Sequence, residues 1–127
     1  MKYIFGNWKM NHGPTEAENF LKEISQHDLP ESSICKIGIA PSGPLLPICT
    51  KLKTELELPI EICAQNCHWE NNGAFTAEVS PILLRELGVN WTLIGHSERR
   101  QYFGETDEAV NKRIKGALEA GLNVIFC

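Results

Sequence analysis

Short apolar runs alternate with longer amphipathic stretches along the whole chain. The apolar runs begin near residues 3, 36, 60, 91 and 123, so they recur about every 25 to 33 residues, the size of a strand and helix unit. Each run is apolar on both faces, as strands in a buried parallel sheet are. The pattern therefore predicts an α/β fold in which five parallel strands alternate with helices.

Helix start signals predict four helices of ordinary length. Thr15 is expected to begin the first helix, with Glu18 three residues later completing a capping box. The second helix follows Pro41, and Ser80 and Thr106 are the expected N-caps of the third and fourth helices. In the first helix, the residues expected to face the core are Ala17, Phe20, Leu21 and Ile24.

Two architectures share this alternation: an open doubly wound sheet and a (β/α)8 barrel. The periodicity does not separate them. A complete barrel takes about 250 residues, whereas this chain has 127 residues and only about five predicted strands. No linker or low-complexity segment interrupts the sequence, so no domain boundary is expected within residues 1–127.

Composition and charge argue against several classes of function. Hydrophobic residues make up 43% of the chain and charged residues 22%, an ordinary globular balance. The formal net charge of −4 does not favour nucleic-acid binding, which needs basic surfaces, although it allows a small anionic substrate. No run is long enough to span a membrane. Asn7 and Lys9 interrupt the first apolar run, so no signal peptide is expected.

The cysteines and histidines give little support for a metal site. The five cysteines are an odd number, so buried free thiols in a reducing, cytoplasmic compartment are expected. Cys63, Cys67 and His68 lie close in sequence, but no second ligand pair follows, so a zinc site is not predicted. His12, His27 and His68 are interpreted as polar surface residues.

Reactive side chains are expected to gather where the strands end, because the carboxyl ends of parallel strands meet at one rim. An ammonium, polar amides and an imidazole would converge there, which suits a small, anionic, oxygen-rich ligand. The residues that follow the first, third, fourth and fifth strands are Asn7, Lys9, Gln65, Asn66, His96, Ser97, Glu98 and Cys127.

The spacing alone leaves two interpretations open for the charged and imidazole groups. Lys9 either supplies positive charge to an anion and a developing oxyanion, or is an exposed lysine after a strand. His96 either stays neutral at a helix N-terminus and donates a hydrogen bond, or is bonded locally in a turn. Ser97 is the expected N-cap of that short helix, in which Glu98 and Arg99 are interpreted as structural ion-pairing residues.

Five short motifs follow one another in a characteristic order. They are Asn7-Trp8-Lys9-Met10-Asn11, Ala64-Gln65-Asn66, Gly73-Ala74-Phe75-Thr76, Ile94-Gly95-His96-Ser97-Glu98-Arg99-Arg100 and Glu105-Thr106. Together they strongly resemble the triosephosphate isomerase family, and the resemblance covers the whole chain without a large gap. The first and fourth motifs are the most specific.

The resemblance implies a (β/α)8 TIM barrel. This chain would supply about its first five strands and four helices, with residues 1–127 forming the N-terminal portion of that single domain. It also implies interconversion of dihydroxyacetone phosphate and D-glyceraldehyde 3-phosphate in glycolysis and gluconeogenesis, with no metal and no organic cofactor. The expected partners are a small phosphorylated triose and a second subunit in a homodimer, but neither nucleic acid nor membrane.

On matching positions, the resemblance assigns roles to individual residues. Asn7 and Lys9 would contact the substrate, and Lys9 would offset phosphate and enediolate charge. His96 would be the neutral catalytic electrophile that polarises the carbonyl, an arrangement already established for this family. The supporting residues would be Ser97, Glu98 and Cys127, the last lying beneath the position of the catalytic base. The dimer-interface residues would be Phe75 and Thr76.

Two departures from the family pattern limit what can be carried over. Ala77 stands where the family usually has glycine, which puts the geometry of that loop in question. The family's glutamate base, closing lid and phosphate loop belong to its second half, so no position here matches them. The 127 residues alone are therefore expected not to isomerise triose phosphates. The alternative is a non-catalytic half-barrel that binds a ligand or a partner; the motifs disfavour an unrelated open α/β binding module.

Overall fold

A computed structural model describes all 127 residues of the chain. The strands are β1 (Lys2–Asn7), β2 (Cys35–Ala40), β3 (Ile60–Ala64), β4 (Trp91–Ile94) and β5 (Asn123–Phe126). The helices are α1 (Pro14–Ile24), α2 (Leu46–Glu55, preceded by a 3₁₀ turn at Gly43–Leu45), α3 (Pro81–Leu87), α4 (Ser97–Phe103) and α5 (Asp107–Glu119). Helix α4 is the short helix predicted after the fourth strand, and the other four are the helices predicted from start signals, of which α3 is as short as α4.

All five strands lie in one parallel sheet with the order β1-β2-β3-β4-β5. In a flat sheet β1 and β4 would be about 14 Å apart, since they are separated by three strand spacings. The ring of Trp91 on β4 nevertheless lies 5.8 Å from that of Tyr3 and 5.0 Å from that of Phe5, both on β1. The sheet is therefore curled into an open half-barrel with these rings on its concave face. This curl favours the barrel over the flat, doubly wound sheet.

The main hydrophobic core lies between the convex face of the sheet and the helices. Because successive strand residues point to opposite faces, Ile39, Ile62 and Ile94 pack toward the helices. Their neighbours Ala40, Cys63 and Leu93 form a separate cluster with the concave aromatic residues. Complete burial of one such aliphatic side chain stabilises the fold by about 1.5 to 3 kcal/mol. The helix-facing core thus holds the strand ends in place.

Helix α1 begins two residues earlier than the predicted capping box places it, because Gly13 and not Thr15 is its N-cap and Pro14, preorganised for the first helical position, follows. The Oε1 of Glu16 accepts a hydrogen bond from the Gly13 N–H at 3.2 Å. The prediction that Glu18 fills this capping role was wrong, since Glu18 instead pairs with Lys22 at 2.8 Å. The two-residue shift of the N-cap moved the capping glutamate from Glu18 to Glu16 as well.

The buried stripe of α1 is narrower than predicted. Ala17 and Leu21 are fully buried, and Ile24 packs partly buried against the core. Phe20 is 38% exposed, and its ring meets that of Trp8 edge-on at 5.2 Å. Its predicted core position was wrong because this side of α1 faces the loop after β1.

Two predicted helix caps are confirmed. The Ser80 hydroxyl accepts a hydrogen bond from the Leu83 N–H at 3.3 Å, and the Thr106 hydroxyl accepts one from the Ala109 N–H at 3.2 Å. Both residues therefore cap their helices as the sequence predicted. None of the helices has the length and apolar character that a membrane-spanning helix requires.

Burial corrects two predictions about single side chains. His68 is only 5% exposed, so it is not the surface residue that its loop position suggested. All five cysteines are free, but Cys127 is exposed while the other four are buried. Burial raises the pKa of Cys63 to about 12 and that of Cys67 to about 11. These two side chains are therefore inert thiols packed in the core.

Candidate active site

The carboxyl ends of β1, β3 and β4 surround a cavity of about 480 Å³ at one rim of the half-barrel. The sequence-predicted residues that line it are Asn7, Lys9, Gln65, Asn66, His96 and Glu98. Further lining residues, which the sequence did not single out as site residues, are Met10, Asn11, Leu93, Arg99, Tyr102 and Phe103. The structure therefore brings the predicted ammonium, amides and imidazole together. Ser97, Cys127, Phe75 and Thr76 lie outside this cavity.

Lys9 adopts a left-handed backbone conformation, with φ at +55°. For a residue with a side chain this conformation costs roughly 1 to 2 kcal/mol. Two side chains compensate by holding its peptide groups: Asn7 Oδ1 accepts from the Lys9 N–H at 2.9 Å, and Gln65 Nε2 donates to the Lys9 carbonyl at 2.8 Å. The same Gln65 amide donates to the Ala40 carbonyl at 2.9 Å. These hydrogen bonds connect the carboxyl ends of β1, β2 and β3 next to Lys9.

The ammonium of Lys9 lies on the rim beside the first turn of α4. Its Nζ is 2.8 Å from Glu98 Oε1, and both side chains are about half exposed. The hydrogen bond from Lys9 holds the pKa of Glu98 below its usual range, against a smaller opposing effect of desolvation. Because the pair is exposed to solvent, an incoming anion can compete for the ammonium at little cost.

His96 precedes α4 and serves as its N-cap. Its Nδ1 accepts a hydrogen bond from the Glu98 N–H at 3.1 Å. A ring nitrogen that accepts an N–H bond carries no proton, so the neutral ring has its proton on Nε2. The prediction that Ser97 caps this helix was wrong, because Ser97 is the first helical residue and the imidazole one position earlier fills the capping role.

Glu98 and Arg99 do not pair with each other, because adjacent helical side chains point in different directions. Glu98 pairs with Lys9, and Arg99 Nε donates to Glu105 Oε2 at 2.8 Å. Glu105 in turn lies 3.4 Å from the Nε of Arg113, which is 7% exposed. These contacts join α4 to α5 through a buried carboxylate.

Arg113 also anchors the long loop that connects β3 with α3. Its guanidinium forms two hydrogen bonds to the Glu78 carboxylate, at 2.7 and 3.0 Å, and donates to the Cys67 carbonyl at 2.9 Å. The hydrogen bonds from Arg113 hold the pKa of Glu78 below its usual range. Sequence reasoning missed this anchor, because its two charged residues are 35 positions apart.

The loop that carries Phe75 and Thr76 projects beside the rim. Phe75 is 43% exposed, although its ring contacts that of His68 at 4.4 Å. Thr76 is exposed and lines a second cavity of about 420 Å³, which shares Gln65 with the first. Ala77 has φ at +73°, so the position where the family usually has glycine does take the left-handed conformation.

Cys127 follows β5 and lies outside the cavity. Its N–H donates to the Ile94 carbonyl at 3.0 Å, which continues the β4–β5 pairing past the strand end. Desolvation raises the pKa of its thiol. The structure thus places Cys127 at the same end of the sheet as His96, behind Gly95.

A curled parallel sheet with a lysine and a helix-capping histidine at its carboxyl rim defines an α/β-barrel class of protein. The family model described as "Triosephosphate isomerase" matches residues 2–127. The chain belongs to the triosephosphate isomerase family, an isomerase family with the TIM-barrel fold, and its five strands form part of that barrel.

Curated relatives give the same result. The triosephosphate isomerase of Pelodictyon phaeoclathratiforme is 47% identical over 126 residues, which cover 99% of this chain and 49% of the relative. That of Streptococcus pneumoniae serotype 4 is 45% identical over 125 residues, covering 98% and 48%. That of Carboxydothermus hydrogenoformans is 47% identical over 126 residues, covering 98% and 49%. The chain therefore spans about half the length of the curated relatives it matches.

Proposed function

We propose that this chain forms the N-terminal portion of a single barrel domain that interconverts dihydroxyacetone phosphate and D-glyceraldehyde 3-phosphate. The names of its relatives support the substrate class. The observation that carries the proposal is that Lys9 and His96 line one cavity although they are far apart in sequence. Such a cavity offers a positive charge and a ring N–H to a phosphorylated carbonyl compound.

The geometry of the cavity supports a role for each of its main side chains. The Lys9 ammonium offsets the charge of the phosphate and of the enediolate oxygen. Asn7 holds the Lys9 peptide and lines the same cavity, so it both positions the lysine and contacts substrate. The Nε2–H of His96 polarises the substrate carbonyl, and the ring then passes protons between the two oxygens. The reaction moves a proton between neighbouring carbons and another between their oxygens, so it needs no external oxidant or reductant, and we propose no metal and no organic cofactor for it.

Supporting groups act through these residues. The Glu98 N–H fixes the His96 ring, and its carboxylate holds Lys9. Ser97 begins the helix that presents this N–H. Cys127 is proposed to lie beneath the position of the catalytic base. The whole protein is proposed to form a dimer with Phe75 and Thr76 at its interface. It is also proposed to act in the cytoplasm, because the free thiols of this chain fit a reducing compartment.

Proton abstraction from carbon also needs a base. Glu98 is the only carboxylate that lines the cavity. It is hydrogen-bonded to Lys9, and its lowered pKa makes it a poor proton acceptor. The base is therefore proposed to come from outside these residues. The same observation favours a second candidate function, a half-barrel that binds a phosphorylated ligand or a partner without turnover.

A gene fusion separates the two candidates. Residues 1–127 would be joined in frame to the second half of the Carboxydothermus hydrogenoformans relative; this chimera is called the joined enzyme. Isomerisation in a coupled assay, lost in the His96→Ala variant, is the expected result. A soluble, folded joined enzyme that binds a phosphorylated triose without isomerising it would support the binding function instead.

A further inference from the structure

The carbonyl group of Gly95 links the end of β4 to the catalytic histidine. Gly95 has φ at +77°, so the chain turns sharply between Ile94 and His96. Arg100 Nε donates a hydrogen bond to the Gly95 carbonyl at 3.2 Å. The Nη1 of the same guanidinium lies 2.5 Å from Asp107 Oδ1, at the start of α5. One side chain thus spans the end of a strand and two helices.

The packing around Gly95 leaves no room for a side chain at this position. A Cβ atom there would lie 3.0 Å from Val110 Cγ1, 3.2 Å from the Cys127 carbonyl oxygen and 3.4 Å from Phe126 Cε2. A side chain at this position would therefore clash with α5 and with the end of β5, so this turn requires glycine. The hydrogen bond from Arg100 holds the carbonyl of the Gly95–His96 peptide in this turn.

The His96 ring is held at a second point. The Glu98 N–H fixes Nδ1, and this contact sets which ring nitrogen carries the proton. This hydrogen bond does not by itself fix the position of the ring relative to the cavity, because the ring moves with the His96 backbone. That position depends on the Gly95–His96 peptide, which Arg100 holds. Arg100 itself does not line the cavity.

We propose that Arg100 is a positioning residue for His96, which it places through the Gly95 carbonyl so that Nε2–H reaches the substrate oxygen. This inference rests on the proposed isomerase function. The hydrogen bond to Gly95 is the functional contact. The pair with Asp107 is secondary, because the Asp107 side chain is 96% exposed and such pairs contribute little.

The test uses the joined enzyme, because this chain spans about half of its relatives. Arg100→Ala should lower kcat by about tenfold while KM stays within about twofold, since a misplaced catalytic group weakens the transition state and not substrate binding. Added ethylguanidinium should restore part of the lost kcat. The ¹⁵N signals of the His96 ring should shift in the variant. Asp107→Asn is the matched control and should leave kcat and the ring signals unchanged.

Each remaining outcome has a defined meaning. An unchanged kcat, or an equal loss in Arg100→Ala and Asp107→Asn, would overturn the proposal. If Arg100→Ala does not fold, Arg100→Lys takes its place. Its ammonium can reach Gly95 or Asp107 but not both, so an intermediate kcat supports the proposal and an unchanged one overturns it. If the parent joined enzyme has no turnover, the proposed function fails, whereas the ring signals still test whether Arg100 places His96.

Discussion

The Nζ of Lys9 lies 2.8 Å from Glu98 Oε1, and this contact joins the end of β1 to the first turn of α4. The backbone N–H of Glu98 also donates to His96 Nδ1. One residue therefore contacts both groups that are proposed to act on the substrate. Its carboxylate competes with an incoming phosphate for the lysine ammonium, while its N–H keeps the histidine in one tautomer.

Replacing Lys9 tests the charge at the rim. In the joined enzyme, Lys9→Ala should lower kcat/KM by about a hundredfold or more, because a fixed positive charge in a closed site stabilises developing negative charge by several kcal/mol. Steady-state kinetics measures the loss. Lys22→Ala is the matched control, since Lys22 is similarly exposed and also pairs with a glutamate at 2.8 Å. A kcat/KM for Lys9→Ala within about tenfold of the parent would reject the assigned role.

The tautomer of His96 can be observed directly. The ¹⁵N signals of its ring should show an unprotonated Nδ1 and a protonated Nε2, because Nδ1 accepts the Glu98 N–H. Two-bond ¹H–¹⁵N correlation spectra of the joined enzyme provide the measurement. The exposed His27 serves as an internal reference for an unconstrained ring. A proton found on Nδ1 would contradict the helix-capping arrangement.

The ion pair between Glu78 and Arg113 predicts how stability depends on pH. The Arg113 guanidinium lowers the pKa of Glu78 in the folded chain, so the stabilisation is fully present above the pKa of the unfolded chain. It is lost as pH falls through the lower, folded-state pKa. In the joined enzyme at neutral pH, Glu78→Gln should lower the free energy of unfolding by about 1 to 3 kcal/mol. Urea denaturation should show this difference shrinking as the solution becomes acidic.

An exposed glutamate provides the control for that measurement. Glu119 lies exposed at the end of α5 and forms no ion pair, so Glu119→Gln should change stability little at any pH. A Glu78→Gln difference that stays constant down to strongly acidic pH would show that lost packing, rather than the charge, causes it.

Local features of this fold were readable from the sequence. The apolar runs at Ile60–Ala64 and Trp91–Ile94 are strands, and Ser80 and Thr106 cap helices, because these signals involve residues within a few positions of one another. The rim residues also converge as predicted, since parallel strands with right-handed helical connections leave their carboxyl ends on one side.

Features that depend on distant residues were not readable in this way. The Glu78–Arg113 pair joins residues on separate elements. The burial of His68 depends on how its whole loop folds, because its ring packs against Trp69 and Phe75 of that loop. A two-residue shift in the N-cap of α1 also changed its capping glutamate. Boundaries and long-range pairs are set by tertiary packing, which hydrophobic periodicity does not describe.

The exposed loop between β3 and α3 leads us to predict that the whole protein forms a dimer. Thr76 is exposed and lines a rim cavity, whereas Phe75 already contacts His68 within the chain, so Thr76 is the better residue to probe. The joined enzyme should sediment as a two-fold dimer at micromolar concentration, and Thr76→Arg should shift it toward monomer. Thr54→Arg, on the exposed side of α2, is the control. A parent protein that sediments as one chain would count against the proposed interface.

The 127 residues on their own are predicted to self-associate and not to isomerise triose phosphates. Both outer strands of the sheet, β1 and β5, pair on one side only, so their other edges present unpaired backbone groups. The concave face between them carries an apolar cavity lined by Tyr3, Phe5, Trp91, Val124 and Ile125. A sheet with two open edges and an apolar concave face is prone to edge pairing and aggregation.

Catalysis by the isolated chain fails for a separate reason. Its cavity is lined by one carboxylate, Glu98, which already forms an ion pair with Lys9. The cavity is also open to water, which would reach any reactive enediolate. A coupled assay on the purified chain, prepared in a host that lacks its own isomerase, should show no more turnover than a His96→Ala control. Turnover above that control, abolished by Glu98→Gln, would instead make Glu98 the base and remove the need for a residue outside this chain.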